Sequence, residues 1–215
     1  MKLNKSILSC AIAIAMGTSF ASYADTDNKA VSSSELSSKV STLNTSNSMT
    51  LSQSQNNNTA ILMQNGDSNT VEITTVGNEN STEVTQIQSG NYVGVTTIGD
   101  NNVQVYAQDG VANGALSEVT GNNNYLSVIQ NGEGFFVNNE AVNVVTGDDN
   151  TINIEQGTGG HWFFNNDMQG NGNEVNTLQT GEWHEAEVTM ITGDQNILEL
   201  DQDGYWNTFL VSSLQ

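Results

Sequence analysis

Apolar and polar residues alternate along most of this chain, in short segments that begin with Asn and end with Gln. In one of them Asn150, Ile152, Ile154 and Gln156 lie two residues apart, so on a strand their side chains share one face. The pattern N-x-Φ-x-Φ-x-Q, with Φ mostly apolar, recurs at steps of 22 to 26 residues. Its Asn positions are Asn58, Asn80, Asn102, Asn124, Asn150, Asn173 and Asn196, and its Gln positions are Gln64, Gln86, Gln108, Gln130, Gln156, Gln179 and Gln202.

Two kinds of turn separate these segments. One precedes the Asn, as in GDDN from Gly147, and the other follows the Gln, as in GDSN from Gly66. Gly, Asn and Asp tolerate the left-handed backbone that tight turns need. A second alternating segment, such as TVEITT from Thr70, joins the two kinds of turn. The sequence therefore predicts that each repeat consists of a strand, a turn, a second strand and a second turn.

A unit of about 22 residues cannot bury its own apolar face, whereas units stacked in register can. The sequence thus predicts an all-β, open-ended β-solenoid of about seven two-strand coils, each one strand spacing of about 4.8 Å from the next. Stacked amides would hydrogen-bond along the stack as ladders around a dry interior. The repeat runs to the last residues, which favours end-to-end growth. Gln64 would then lie in the first coil and Gln202 in the last, and both would extend their ladder across a subunit junction.

The beginning of the chain differs from the repeats. Residues 1–24 have the charged start, apolar stretch and small-residue cleavage site of a signal peptide, with a weaker lipid-attachment alternative at Cys10. Residues 25–47 lack the repeat and are polar, which predicts a disordered leader before the repeat region, 48–215. Cys10 is the single Cys, so the mature chain would have no disulfide. No later segment approaches the roughly 20 apolar residues of a membrane span.

The charge of the chain is strongly one-sided. It has 4 Lys and Arg against 24 Asp and Glu, a net charge of −20, and no basic residue after Lys39. Nucleic acid is therefore excluded as a partner, because neutralising phosphates needs basic residues. Such charge also favours solubility and opposes self-assembly by repulsion.

Aromatic residues collect in the turns that follow the Gln. The candidates for an edge contact are Tyr92, Phe135, Trp162, Trp183, Tyr205 and Trp206. Stacked coils would align them along one edge, either as a strip for a glycan, a partner subunit or a neighbouring fibre, or more simply as caps over the interior. Two of these turns are enlarged, GEGFFVNN from Gly132 and GTGGHWFFNND from Gly157.

The sequence offers little support for a metal site, a cofactor site or a catalytic site. His161 and His184 lie in equivalent turns one coil apart, but no acidic or Cys ligand has suitable spacing, so we predict no metal and no cofactor. The acidic turns lack the ligand sets of known calcium loops. No acid–base or nucleophile constellation stands out from the repeat, and we predict no enzymatic activity.

The repeat resembles the curlin repeat, S-x5-Q-x-G-x2-N-x-A-x3-Q, of the curli functional-amyloid subunits. The resemblance covers roughly residues 48–215. The second Gln of that repeat is mostly absent here. The best copy is Asn102, Gln108, Gly110, Asn113 and Ala115, with Asn in the Ser place. A later copy has Gln179, Gly181 and Ala186, with His184 in the Asn place.

This resemblance implies a secreted subunit that polymerises with itself into extracellular fibres for adhesion and biofilm. It also implies a second curlin-type subunit, with this chain as either the major subunit or the nucleator, and an outer-membrane export pore, which residues 25–47 would address. The alternative from another class is a monomeric solenoid that binds a glycan or ice. The irregular outward residues count against ice, because an ice-binding face needs a regular array.

Overall fold

The computed structural model of the chain describes residues 22–23, 37–42, 46–132 and 138–215. The regular elements in these residues are all β-strands. Their bounds are β1 Ser22–Tyr23, β2 Ser37–Thr42, β3 Ser48–Ser54, β4 Thr59–Asn65, β5 Thr70–Val76, β6 Ser81–Ile87, β7 Tyr92–Ile98, β8 Val103–Gly110, β9 Gly114–Thr120, β10 Tyr125–Gly132, β11 Glu140–Thr146, β12 Thr151–Gln156, β13 Trp162–Gln169, β14 Glu174–Glu182, β15 Glu185–Val188, β16 Ile191–Thr192, β17 Ile197–Tyr205 and β18 Thr208–Val211.

The strands form two parallel sheets that face each other. Sheet A has the order β1-β3-β5-β7-β9-β11-β13-β15-β18, with β16 also on β13, and sheet B has the order β17-β14-β12-β10-β8-β6-β4-β2. Successive coils place equivalent residues side by side, as in the register of Gln64 with Gln86 and of Gln86 with Gln108. The predicted two-strand β-solenoid is confirmed: β4 to β18 make seven coils, and β2 and β3 precede them.

The inward face of each repeat is the predicted one. On β12, Ile152 and Ile154 are buried together with Gln156, while Thr151 and Glu155 face outward. Equivalent apolar residues of every coil meet in one continuous core. Burying a side chain of this size contributes about 1.5–3 kcal/mol, so the stack of coils supplies the core that one coil lacks.

The copy that departs most from the apolar pattern, on β8, still points the same positions inward. Gln104 and Tyr106 stand at its two apolar positions, and both point inward with 1% exposure. The Tyr106 hydroxyl donates to Gln104 Oε1 at 2.6 Å, and Gln104 Nε2 donates to Thr97 Oγ1 at 2.5 Å. The strand tolerates these polar groups because they bond one another inside the core.

Four strands, β8, β10, β14 and β17, extend by two or three residues beyond the Gln at which the pattern predicted their end. The sequence predicted that a turn follows Gln179, but β14 continues through that residue to Glu182. The added residues pair with β17, Gly181 beside Gly204 and Glu182 beside Tyr205. The prediction was wrong because the neighbouring strand supplies backbone partners that hold this segment extended, even though Gly181 has a φ of 104°. Gln179 is therefore an interior strand residue, and its side chain keeps the predicted inward orientation with no exposure.

One of the two enlarged turns is shorter than the sequence predicted. The segment from Trp162 is strand β13, paired with β11, and Phe163 lies in the core with no exposure. An extra residue is accommodated by a bulge, where Asn165 to Met168 oppose the shorter Asn143–Val145. The prediction of one long turn was wrong because pairing with β11 buries Phe163. Residues 133–137 of the other enlarged turn, including Phe135, lie outside the described residues.

Strands also occur in the segments that were predicted to precede the repeats. β2, within 25–47, pairs with β4, and β1, within 1–24, pairs with β3 through two residues. Apart from Ser46 and Asn47, the rest of the predicted signal peptide and leader lies outside the described residues, and the boundaries of both segments stay predictions. Gln64 is therefore not in the outermost coil: β2 lies beyond it, with Thr42 in register with Gln64.

Amide columns as the candidate functional site

The seven predicted Gln side chains form one continuous hydrogen-bonded ladder inside sheet B, and all seven are buried. From Gln64 to Gln179, each Nε2 donates to the Oε1 of the next Gln along the chain at 2.8–2.9 Å. Each Nε2 also donates to a backbone carbonyl across the interior, as Gln130 does to Gly114 at 2.8 Å. The ladder thus has a direction. Gln64 Oε1, at its start, is buried without a partner in the described residues, and Gln202 Nε2 is the terminal donor.

The ladder passes without a break through Gln179, although the strand around it is longer than predicted. Gln179 Oε1 accepts from Gln156 Nε2 at 2.9 Å, and Gln179 Nε2 donates to Gln202 Oε1 at 2.8 Å. The same Nε2 reaches the Trp162 carbonyl of sheet A at 3.2 Å. This Gln therefore ties β14 to both neighbouring strands of its own sheet and to the opposite sheet.

The seven predicted Asn side chains form a second ladder that runs in the opposite direction. From the second member onward, the backbone N–H and Nδ2 of each Asn both donate to the Oδ1 of the preceding Asn, as Asn102 does to Asn80 at 2.9 and 3.0 Å. Asn102 Nδ2 also donates to the Gly121 carbonyl at 2.8 Å, which fixes the turn of the next coil. These Asn residues therefore hold together both neighbouring coils and the turns between them.

A further column closes the other edge of the interior, and the sequence analysis did not identify it as a column. Its members repeat at steps of 22 to 26 residues, the same signal that revealed the first Asn column. Each backbone N–H donates to the side chain of the preceding member, as Asn113 does to Asn91 at 3.0 Å. We call it the second Asn column: Asn47, Asn69, Asn91, Asn113, Asn139, His161, His184 and Asn207.

His161 and His184 replace Asn in the second Asn column and keep its acceptor role. Their rings stack at 5.1 Å and are fully buried. His161 Nδ1 accepts from the His184 N–H at 3.4 Å, and His184 Nδ1 accepts from the Asn207 N–H at 3.2 Å. Nε2 therefore carries the proton, and in His184 it donates to the Thr180 carbonyl at 2.6 Å. Burial, together with the neighbouring His184, lowers the pKa of His161 to about 4, so His161 is neutral at pH 7.

Acidic residues are kept apart along the stack. At the tips of the Asn-side turns, Asp alternates with Asn, and each backbone N–H donates to the next side-chain Oδ1 at 2.7–2.9 Å. Carboxylates in this column are thus two coils, about 10 Å, apart. In the register of the described strands no acid lies directly beside another acid, which avoids the repulsion of like charges on paired positions. The alternating set is Asn78, Asp100, Asn122, Asp148, Asn171 and Asp194.

Three of the predicted edge aromatics come together on the outside of the last coils. The rings of Trp183 and Trp206 stack at 5.6 Å, and Trp162 meets Trp183 at 6.0 Å. Trp206 is 72% exposed and Tyr205 69% exposed. These two do not cap the interior, because the second Asn column already closes it there.

Tyr92 lies apart from this group. It begins β7 and donates its hydroxyl to Glu72 at 3.2 Å. Gly114 and Glu140 occupy the two register positions between Tyr92 and Trp162. The aromatic edge is therefore a feature of the C-terminal coils.

Within the part of the chain that the structure describes, no group of three or more His, Cys, Asp or Glu side chains has the geometry to hold a metal ion. No helix there is long and apolar enough to cross a membrane. The side-chain interactions that repeat from coil to coil are hydrogen bonds between stacked amides.

The comparisons with known proteins agree with the repeat geometry. The curlin associated repeat family matches residues 56–87 and 170–208, and each match spans coils in which both Asn columns and the Gln ladder are present. Neither the curated proteins nor the solved structures contain a match to this chain. The chain therefore contains curlin associated repeats in these two segments.

Proposed function

We propose that this chain is a secreted structural subunit that polymerises end to end into extracellular amyloid fibres of the curli type. The observation that carries the proposal is the open C-terminal end of both sheets. Among the described residues, β17 and β18 each pair with a strand on one side only. An unpaired strand edge is a template for another strand, and a solenoid offers two such edges at once.

The apolar character of that end supports growth. Ile197, Leu210 and Trp206 are 64–72% exposed there, whereas Tyr125 and Leu116, at the outward positions of inner coils equivalent to Ile197 and Leu210, are 39% and 44% exposed. An added coil would cover part of the exposed surface of these side chains and complete the backbone hydrogen bonds of β17 and β18. Burial of apolar surface, at about 25 cal/mol per Å², supplies the driving force for each addition.

The family resemblance supports the cellular side of the proposal. Curlin-type subunits are structural rather than enzymatic, and they form fibres for surface adhesion and biofilm. By the same resemblance we propose export through an outer-membrane pore, after removal of residues 1–24, and nucleation by a second curlin-type subunit. Mass spectrometry of the extracellular protein tests the first step: we expect a mature start near Asp25, and an intact Met1 would contradict it.

Fibre formation by the exported protein tests the central proposal. We expect purified protein to bind thioflavin T after a lag, to lose the lag when its own fibres are added, and to give fibre diffraction at about 4.7–4.8 Å along the fibre axis. Protein that stays monomeric, with or without seeds, would overturn the proposal.

A second candidate function is glycan binding by the monomer, and the exposed Trp183–Trp206 stack is what favours it. Retention of soluble monomer on insoluble cellulose or chitin, lost on Trp206→Ala, would support it. The structure does not support ice binding, which needs a regular outward array. Neighbouring residues along one outward row, Ile61, Glu83 and Val105, differ in kind.

A further inference from the structure

We propose a specific register for the subunit junction: β17 and β18 of one copy pair in parallel with β2 and β3 of the next. The proposal rests on the fibre function proposed above. Along the stack, sheet B strands pair only with sheet B strands, and sheet A strands only with sheet A strands. Continuing that rule past the last coil places β2 beside β17 and β3 beside β18.

The second Asn column is complementary across this junction. Inside the subunit, the N–H of each member after the first donates to the side chain of the preceding member, and Asn113 is the described member whose Nδ2 donates there as well, with its N–H and Nδ2 3.0 and 3.1 Å from Asn91 Oδ1. At the start of the column, Asn47 Nδ2 is buried without a partner in the described residues. At its end, Asn207 donates to His184 and to the Asp203 carbonyl, which leaves its Oδ1 as the next acceptor. Asn47 Nδ2 of one copy can therefore donate to Asn207 Oδ1 of the copy before it.

The charges of the two ends are also complementary. β2 and β3 contain no acid, and β2 carries Lys39, the last basic residue of the chain. β17 carries Glu199, Asp201 and Asp203. The register that aligns Ile197 with Ser37 places the position of Lys39 beside that of Glu199. An opposite-charge pair on directly neighbouring strand positions is stabilising, and two like ends would repel.

The Gln ladder, in contrast, is interrupted once per subunit in this register. Thr42 is in register with Gln64 within the chain, so the junction places Gln202 of one copy beside Thr42 of the next. The terminal coils meet through the second Asn column and the Glu199–Lys39 position. This replaces the sequence-based expectation that Gln64 and Gln202 meet across the junction.

The edge of β3 is open to β18 once the predicted signal peptide is removed. In the full chain β1 pairs with Met49 and Thr50 of β3, which are the register positions that Phe209 and Leu210 would take. β1 lies within residues 1–24, so cleavage near Asp25 clears this edge.

Cysteine cross-linking tests the register directly. Neighbouring parallel strands are about 4.8 Å apart, within the Cα separation of a disulfide, which is about 4.4–6.8 Å. We expect exported Asn47→Cys/Asn207→Cys protein, oxidised after fibre formation, to give a ladder of covalent multimers that a reductant removes. The control Asn69→Cys/Asn207→Cys, one coil out of register, should stay monomeric in denaturing gels. Multimers from the control alone, or from neither, would overturn the register.

A charge exchange tests the same junction without Cys. We expect Lys39→Glu to slow seeded elongation at low salt by about tenfold, because an attractive pair becomes a repulsive one. Lys39→Glu/Glu199→Lys should restore most of the rate, and Lys29→Glu, the same charge change at a position that precedes β2 in the sequence, should have a small effect. Equal slowing by Lys29→Glu, or no rescue in the exchange, would contradict the pairing.

The two experiments separate the register from the function. If the parent protein forms no fibres, the proposed function fails. If it forms fibres without Asn47–Asn207 multimers and without charge rescue, fibre formation stands and the register is wrong.

Discussion

Replacement of Asn102 by Ala measures what one position of the first Asn column contributes to the monomer. The change removes the Nδ2 donor of the Gly121 carbonyl, and it removes the Oδ1 that accepts the N–H and Nδ2 of Asn124. Asn124 Nδ2 keeps the Gly147 carbonyl. Two backbone groups, the Gly121 carbonyl and the Asn124 N–H, are left without their partners.

Each buried polar group left unsatisfied costs about 1–3 kcal/mol, so we expect Asn102→Ala to lower the free energy of unfolding by about 2–6 kcal/mol. That is a large part of the roughly 5–15 kcal/mol of a typical domain. Urea unfolding, followed by circular dichroism in freshly prepared monomer at low salt, gives the measurement.

The matched control is Asn65→Ala, the same substitution at an exposed strand end whose side chain has no hydrogen bond in the described residues. Its effect should stay within about 0.5 kcal/mol. Equal effects at the two positions would refute the view that the inward amides stabilise the stack, and would attribute its stability to apolar packing and backbone hydrogen bonds alone.

Three further outcomes follow from the same geometry. Gly99→Ala should prevent folding, because its φ is 129° and a Cβ would lie 1.9 Å from the Gly121 carbonyl oxygen, whereas Gly114→Ala, with open space around its Cβ, should be tolerated; yields of soluble protein and circular dichroism compare them. The low pKa of His161 means that the unfolded chain takes up its proton first, so stability should fall as the pH drops from about 6.5 towards 4. His161→Asn, the usual residue of the column, should reduce that loss, and an unchanged pH profile would count against it. Fibre growth should be faster with added salt or mild acid, since the net charge is −20; thioflavin kinetics that are the same at low and moderate salt would contradict this.

The repeat was readable from the sequence because each structural requirement has its own residue type. A strand with one inward face needs alternation, a tight turn needs Gly or Asn, and an inward amide needs an identical neighbour one coil away. Residues such as Asn150, Ile152, Ile154 and Gln156 satisfy these needs within seven positions, so local pattern and step together indicated the sheet, the coil and the inward face.

The ends of the strands were harder to predict than their inward faces, because a strand end depends on what the neighbouring strand offers. The Gly that follows Gln179 by two residues looks like the start of a turn, yet pairing with β17 extends β14 through it. The prediction of one long turn from Gly157 failed for the same reason. The sequence around Phe163 does not show that this segment pairs with β11 and so forms a strand.

What only the tertiary structure decided is the pairing between distant positions. The family resemblance puts His184 in an Asn place, but nothing local shows that it shares a column with Asn47, or that an imidazole Nδ1 replaces an amide oxygen there. The direction of each ladder depends on which side-chain atom faces which neighbour, and therefore on the stacked coordinates. The place of β2 in front of β4 depends likewise on stacking, because a segment without Asn or Gln carries no repeat signal and is held by backbone hydrogen bonds to a formed edge. Sequence thus specifies the unit, and the stack of units specifies which groups are left open at the two ends.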